Sequence, residues 1–142
     1  MMKTIGATEV RKNWSTICDN VSRVRPEVIK RTHDYLFLSS KDNMLSLLQH
    51  VIYACDAVKE RDGSITVMLK DMDIAENAES ESAALDSVAT SILDYAKEYF
   101  ESYQLYINAP NRKAHLPFVT KAFLLDDVEL IKEEIVCQNG RN

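Results

Sequence analysis

Thr4-Ile5-Gly6-Ala7-Thr8-Glu9-Val10-Arg11-Lys12-Asn13-Trp14 passes from a short extended run into the start of a helix. Thr8 has a side-chain oxygen suited to the first free N–H groups of a helix, and Glu9 in the first turn suits the positive end of its dipole. Behind them Val10, Trp14, Ile17, Cys18, Val21 and Val24 recur at helical spacing and predict one buried stripe. Arg11, Lys12 and Asn13 fall off that stripe, near the helix end whose N–H groups can receive a phosphate. Pro26 stops the helix and biases Arg25 towards extended geometry. Val28-Ile29 and Leu36-Phe37-Leu38 then have strand propensity on either side of the polar turn Thr32-His33-Asp34. Ser39 or Ser40 is placed to cap a second helix, whose stripe is Met44, Leu47, Leu48, Val51, Ile52, Cys55 and Val58. The order is βαββα. About fifty residues are too few to close a private core, so this module is expected to dimerise or to lean on the rest of the chain.

Further along, Asp62-Gly63 marks a turn, and Ile65, Val67 and Leu69 alternate with Thr66, Met68 and Lys70. That alternation predicts a strand over residues 64–70 with one buried face. Residues 71–79 are acidic, with only a weak strand signal around Ile74. Leu85, Val88, Ala89, Ile92, Ala96, Tyr99 and Tyr103 keep a 3–4 spacing and predict a long helix, capped by Ser80 or Ser82. Residues 108–113 read as a loop. Asp126 or Asp127 caps a last helix over residues 128–136, and the chain from Gln138 on reads as frayed. The expected fold is α+β: a βαββα module in residues 1–60 and an α+β C-terminal domain in residues 61–142.

Of the 142 residues, 46% are hydrophobic and 27% charged, which excludes a disordered or membrane-spanning composition. No apolar run approaches the roughly 18 residues of a membrane helix. The N-terminus lacks the basic-then-apolar plan of a signal peptide, so a cytoplasmic protein without membrane contact is expected. The net charge of −5 is unevenly spread: residues 1–50 hold eight Lys/Arg against five Asp/Glu, and residues 51–142 hold nine against seventeen. A basic N-terminal part on an acidic protein is where a phosphate-binding face belongs. Cys18, Cys55 and Cys137 are odd in number and widely spaced, and buried free thiols are expected rather than a disulfide or a metal site.

The run Thr4-Ile5-Gly6-Ala7, the cap-acid-x-Arg pattern Thr8-Glu9-Val10-Arg11, the aromatic Trp14 and the strand Val28-Ile29-Lys30-Arg31 together resemble the Phd/YefM-type antitoxins of bacterial toxin–antitoxin operons. The likeness covers about residues 3–50. It implies a homodimer paired through its N-terminal sheets, a repressor of its own operon and neutralisation of a cognate toxin. It also implies contact with operator DNA through Thr8, Arg11 and Lys12 at the first helix and through Arg31 on the hairpin. The alternative is a protein-interaction module that keeps the fold without binding DNA, for which the overall acidity speaks. The familiar antitoxins end in a tail that orders on its toxin, whereas this chain continues with about ninety patterned residues. Its acidic stretch from Asp71 to Glu101 suits a basic toxin surface by charge complementarity.

Nothing in the sequence argues for catalysis. His33, His50 and His115 have no helical i,i+4 partner and no Cys or acid at ligand spacing, so no metal or cofactor is expected. Asp71, Asp73 and Glu76 lack the glycine and the twelfth-position acid of a calcium loop. Tyr95, Tyr99, Phe100, Tyr103 and Tyr106 have the spacing of helix packing rather than of a base-stacking platform.

Overall fold

Two sheets organise the protein in the computed structural model, which describes residues 2–139, and the fold is α+β as the sequence predicts. The chain divides into two compact units, one ending at Leu47 and the other beginning at Leu48.

The first unit runs β1 (Ile5–Gly6), α1 (Ala7–Lys12), α2 (Trp14–Arg23), β2 (Glu27–Arg31), β3 (Asp34–Leu38) and α3 (Lys41–Leu47). Its sheet has the order β1-β2-β3. β1 lies parallel to β2, with Ile5 opposite Ile29 and Gly6 opposite Lys30, and β2 and β3 form an antiparallel hairpin. Val10, Ile17, Val21 and Ile29 are buried together, with Ile5, Ala7 and Leu38 packed against them.

The single helix expected here is two. Asn13 leaves helical geometry at φ −116° and ψ 33°, and its backbone N–H and side-chain amide both turn back to the Glu9 carbonyl. The break rotates the second segment, so Trp14 and Val24 are 53% and 72% exposed instead of joining the stripe. The cap also moves: Gly6, not Thr8, is the N-cap residue of α1 and makes no side-chain bond. At the next helix Ser40 accepts from Asn43 N–H at 3.1 Å, while the Asn43 amide reaches Ser39 Oγ at 3.0 Å.

The second unit runs β4 (Tyr53–Lys59), β5 (Ile65–Leu69), β6 (Ala75–Ala78), α4 (Glu81–Glu101), α5 (Tyr103–Ile107), a single 3₁₀ turn (Lys113–His115), α6 (Leu116–Leu125), α7 (Val128–Glu133) and β7 (Ile135–Asn139). The sheet order is β6-β5-β4-β7, antiparallel except for the parallel pair β4–β7. One sheet face presents Tyr53, Cys55 and Val67 to Val88, Ile92, Ala96 and Tyr99 of α4, to Val119 and Ala122 of α6, and to Ile131 of α7. Ser80 caps α4 by accepting from Ala83 N–H, and Asp127 caps α7 by accepting from Leu130 N–H.

Two elements differ from the sequence expectation. The second helix stops at Leu47 instead of continuing to Val58, and residues 53–59, within the 1–60 module of the sequence reading, form β4 of the second sheet. Likewise the last helix ends at Glu133, and β7 occupies residues read as helix and frayed end. The cause is shared, because β4 and β7 satisfy each other's backbone in a pairing no local window contains.

That pairing also corrects the cysteine expectation. Cys55 stands directly opposite Cys137, the two are joined as a disulfide, and Cys18 alone is free. Lys121, which is buried, pairs with the Glu134 carboxylate and donates to the Val51 carbonyl, and the Tyr53 hydroxyl donates to the Phe118 carbonyl at 2.8 Å. These bonds tie α6 to the starting end of the β4–β7 pair, so the polar groups taken into the unit are matched.

Candidate nucleic-acid interface

The parallel pairing of β1 with β2 places the start of α1 beside the end of β2. Gly6, opposite Lys30 in the ladder, is followed at once by α1, and Arg31 is followed at once by the hairpin turn. Between these two chain reversals lies an open concavity of about 670 Å³, lined by Gly6, Ala7, Thr8, Arg11, Lys30, Arg31 and Thr32.

Three of its seven lining residues are cations and none is an acid. Thr8, Arg11, Lys30 and Arg31 are all exposed, so their charges face solvent and can exchange counterions for a polyanion. Lys30 stands over the ring of its cross-strand partner Tyr35, 5.7 Å from the centroid, which holds the ammonium beside the concavity. Thr32 takes φ 54°, a left-handed conformation unusual for a β-branched residue. That turn folds the chain back directly after Arg31, and a strained residue in the wall of a site is where local cost is exchanged for function.

Of the four residues that the sequence points to, Thr8, Arg11 and Arg31 come together here, although they are separated by up to 23 positions. Lys12 is exposed on the last turn of α1 and does not line the concavity. Sequence reasoning misses Lys30. Its signal is present, as the cation before Arg31 in the strand Val28-Ile29-Lys30-Arg31, whose alternation with buried Ile29 turns it outward.

The other polar clusters are of a different kind. His115 is buried, and its Nδ1 shares a hydrogen bond with the Tyr95 hydroxyl at 2.7 Å. The Tyr95 oxygen in turn accepts from Arg112 at 3.0 Å, and Tyr99 donates to the Arg112 carbonyl at 2.8 Å. Burial, aided by the nearby Arg112 charge, lowers the His115 pKa below its ordinary value. Burial thus favours the neutral ring. Tyr95, Tyr99, Phe100, Tyr103 and Tyr106 contact one another edge-on, tilted or stacked, as helix packing predicts and base stacking does not. Among the described residues no three His, Cys, Asp or Glu side chains form a group able to hold a metal ion. Among the same residues no helix is long and apolar enough to cross a membrane.

The family described as PHD-like, "Antitoxin of toxin-antitoxin, RelE / RelB, TA system", matches residues 1–137. A crystal structure from Syntrophomonas wolfei subsp. wolfei, described as an antitoxin part of a toxin/antitoxin system, superposes with a TM-score of 0.92 at 35% identity. The match covers 97% of this chain and 99% of that one. No curated protein matches the chain in sequence.

Proposed function

The chain belongs to the PHD-like antitoxins of RelE/RelB toxin–antitoxin systems, and from that premise we propose that it is a homodimeric, DNA-binding repressor of its own operon that neutralises the toxin encoded beside it. The observation that carries the DNA reading is the concavity in which Arg11, Lys30 and Arg31 converge with no acid among its lining residues. In this reading those cations meet backbone phosphates and supply most of the affinity, while Thr8 and Lys12 extend the contact along α1. The first unit is the DNA-binding and dimerisation part, and the second is the toxin-binding part. The role is regulatory, not enzymatic, and it belongs to the cytoplasm.

Dimerisation is supported by what the first unit leaves uncovered. β3 is an outer strand of its sheet, and Tyr35, Leu36 and Phe37 on it are each more than 50% exposed. Three consecutive large apolar residues on a free edge call for a partner strand or face, and a second copy carries the matching one.

Fluorescence anisotropy with DNA from immediately upstream of the gene tests the reading. Specific binding that falls steeply with salt, and weakens by about 1–3 kcal/mol in Arg11→Ala, supports it. Binding no tighter than to random DNA, and indifferent to the substitution, leaves the protein-interaction alternative as the better account.

A further inference from the structure

Phe100, near the end of α4, stacks on Phe123 of α6 with ring centroids 4.4 Å apart, and also contacts Tyr103 at the start of α5, whose ring centroid is 5.6 Å away. The three rings form a row. In α6, Val119 and Ala122 are fully buried, whereas Phe123 is 42% exposed. The row thus continues the core outward to a surface.

The charges on the neighbouring helix surface are mainly acidic. Asp94 and Glu101 are exposed on α4 at i and i+7, and Asp126 follows the end of α6. The one cation of that α4 face, Lys97, is 3.7 Å from Asp126 and so is already engaged. From Leu48 onward the chain carries nine Lys/Arg against seventeen Asp/Glu, a net charge of −8.

We propose that the aromatic row of Phe100, Phe123 and Tyr103 is the centre of a docking surface for a basic protein, with Asp94 and Glu101 as its rim. An apolar centre inside a charged rim is the usual anatomy of a protein interface. The sign of the rim selects the occupant. Pairing of this surface with itself would set acid against acid, and a nucleic acid or an anionic membrane would do the same, whereas a basic protein meets both the rings and the rim favourably. The inference rests on the antitoxin reading above, in which that protein is the cognate toxin.

The test uses the full chain and the polypeptide encoded by the adjacent reading frame, with affinity measured by calorimetry and association rate by stopped flow at low and high salt. Phe123→Ala is expected to weaken binding at least tenfold, and Asp94→Lys with Glu101→Lys to slow association at low salt, an effect that fades as salt is raised. Arg11→Ala is expected to leave toxin binding unchanged. If Phe123→Ala unfolds the chain, the exposed charge-reversal pair still decides. Wild-type binding that both variants leave intact overturns the docking surface and leaves the antitoxin reading standing. No binding by the wild type removes toxin neutralisation and this inference together. A fall in the chain's own oligomeric mass on Phe123→Ala assigns the row to contact between copies and overturns the proposal.

Discussion

The two units solve the problem of burial differently. Among the described residues the first closes on four buried apolar side chains and the second on fourteen. Seven large apolar residues of the first unit are more than half exposed, from Met2 to Leu47, whereas in the second only Leu105 is. Their charges are opposite as well, with eight Lys/Arg against five Asp/Glu in the first and nine against seventeen in the second. A unit that leaves this much apolar surface uncovered has its stability set by what covers it, and its basic concavity suits it to a polyanion. The second unit is self-sufficient, and its surface repels what the first attracts. The division of labour proposed for them is the one these compositions favour.

The sharpest separation is in stability. The Cys55–Cys137 bond joins residues 82 apart in the second unit, so reduction is expected to cost about 4 kcal/mol by the chain-entropy relation. Urea unfolding with and without a dithiol reductant measures it; an unchanged midpoint, together with three titratable thiols before reduction, would remove the bond from the account. Ile92→Ala, at a fully buried site of α4, should cost about 3–4 kcal/mol at any protein concentration. Ile17→Ala should cost about 2 kcal/mol, and its midpoint should move with concentration if a second copy completes the first unit as proposed. Equal, concentration-independent effects would erase the contrast between the units.

A smaller effect is confined to the second unit. Tyr95→Phe leaves buried His115 and half-buried Arg112 without their shared partner and should cost about 1–3 kcal/mol. The His115 contribution has a definite sign with pH. Its folded pKa lies below the ordinary 6.5, so its stabilisation is fully present above pH 6.5 and is lost as pH falls through the lowered folded value. Stability that does not fall in that acid window, or that falls equally in His115→Gln, contradicts the neutral-ring network. The smallest effect is at the hairpin turn. Thr32 is held at φ 54°, and Thr32→Gly should stabilise the first unit by up to about 1 kcal/mol. Thermal melts check it; destabilisation would mean that the threonine side chain holds the turn in some other way.

How much is legible in the sequence follows from how local each signal is. The hairpin, β5 and α4 can be read because their periodicity and caps lie within a few residues, as with Ile65, Val67 and Leu69 or Ser80 before Ala83. β4 reads as helix because Val51, Ile52, Cys55 and Val58 fit a 3.6 period. The alternation of buried Tyr53 and Cys55 with less buried Ala54 and Asp56 fits a period of two, and only the distant β7 decides between them. The break at Asn13 is invisible because Asn is tolerated within helices, and it carries Trp14 off the stripe. In the candidate site, Arg11 and Arg31 are legible from the resemblance. For Lys30 only the outward direction is legible, from its alternation with Ile29; its place in the concavity comes from the β1–β2 register, a tertiary fact.

The central claim is that the basic concavity of the first unit binds operator DNA. The most direct measurement is the salt dependence of binding to DNA upstream of the gene, for the wild type and for Arg11→Ala, Lys30→Ala and Arg31→Ala. The account predicts that each substitution weakens binding and lowers the log–log salt slope by about 1 for each phosphate no longer neutralised, with the melting temperature unchanged. Slopes identical to the wild type in all three variants would contradict it.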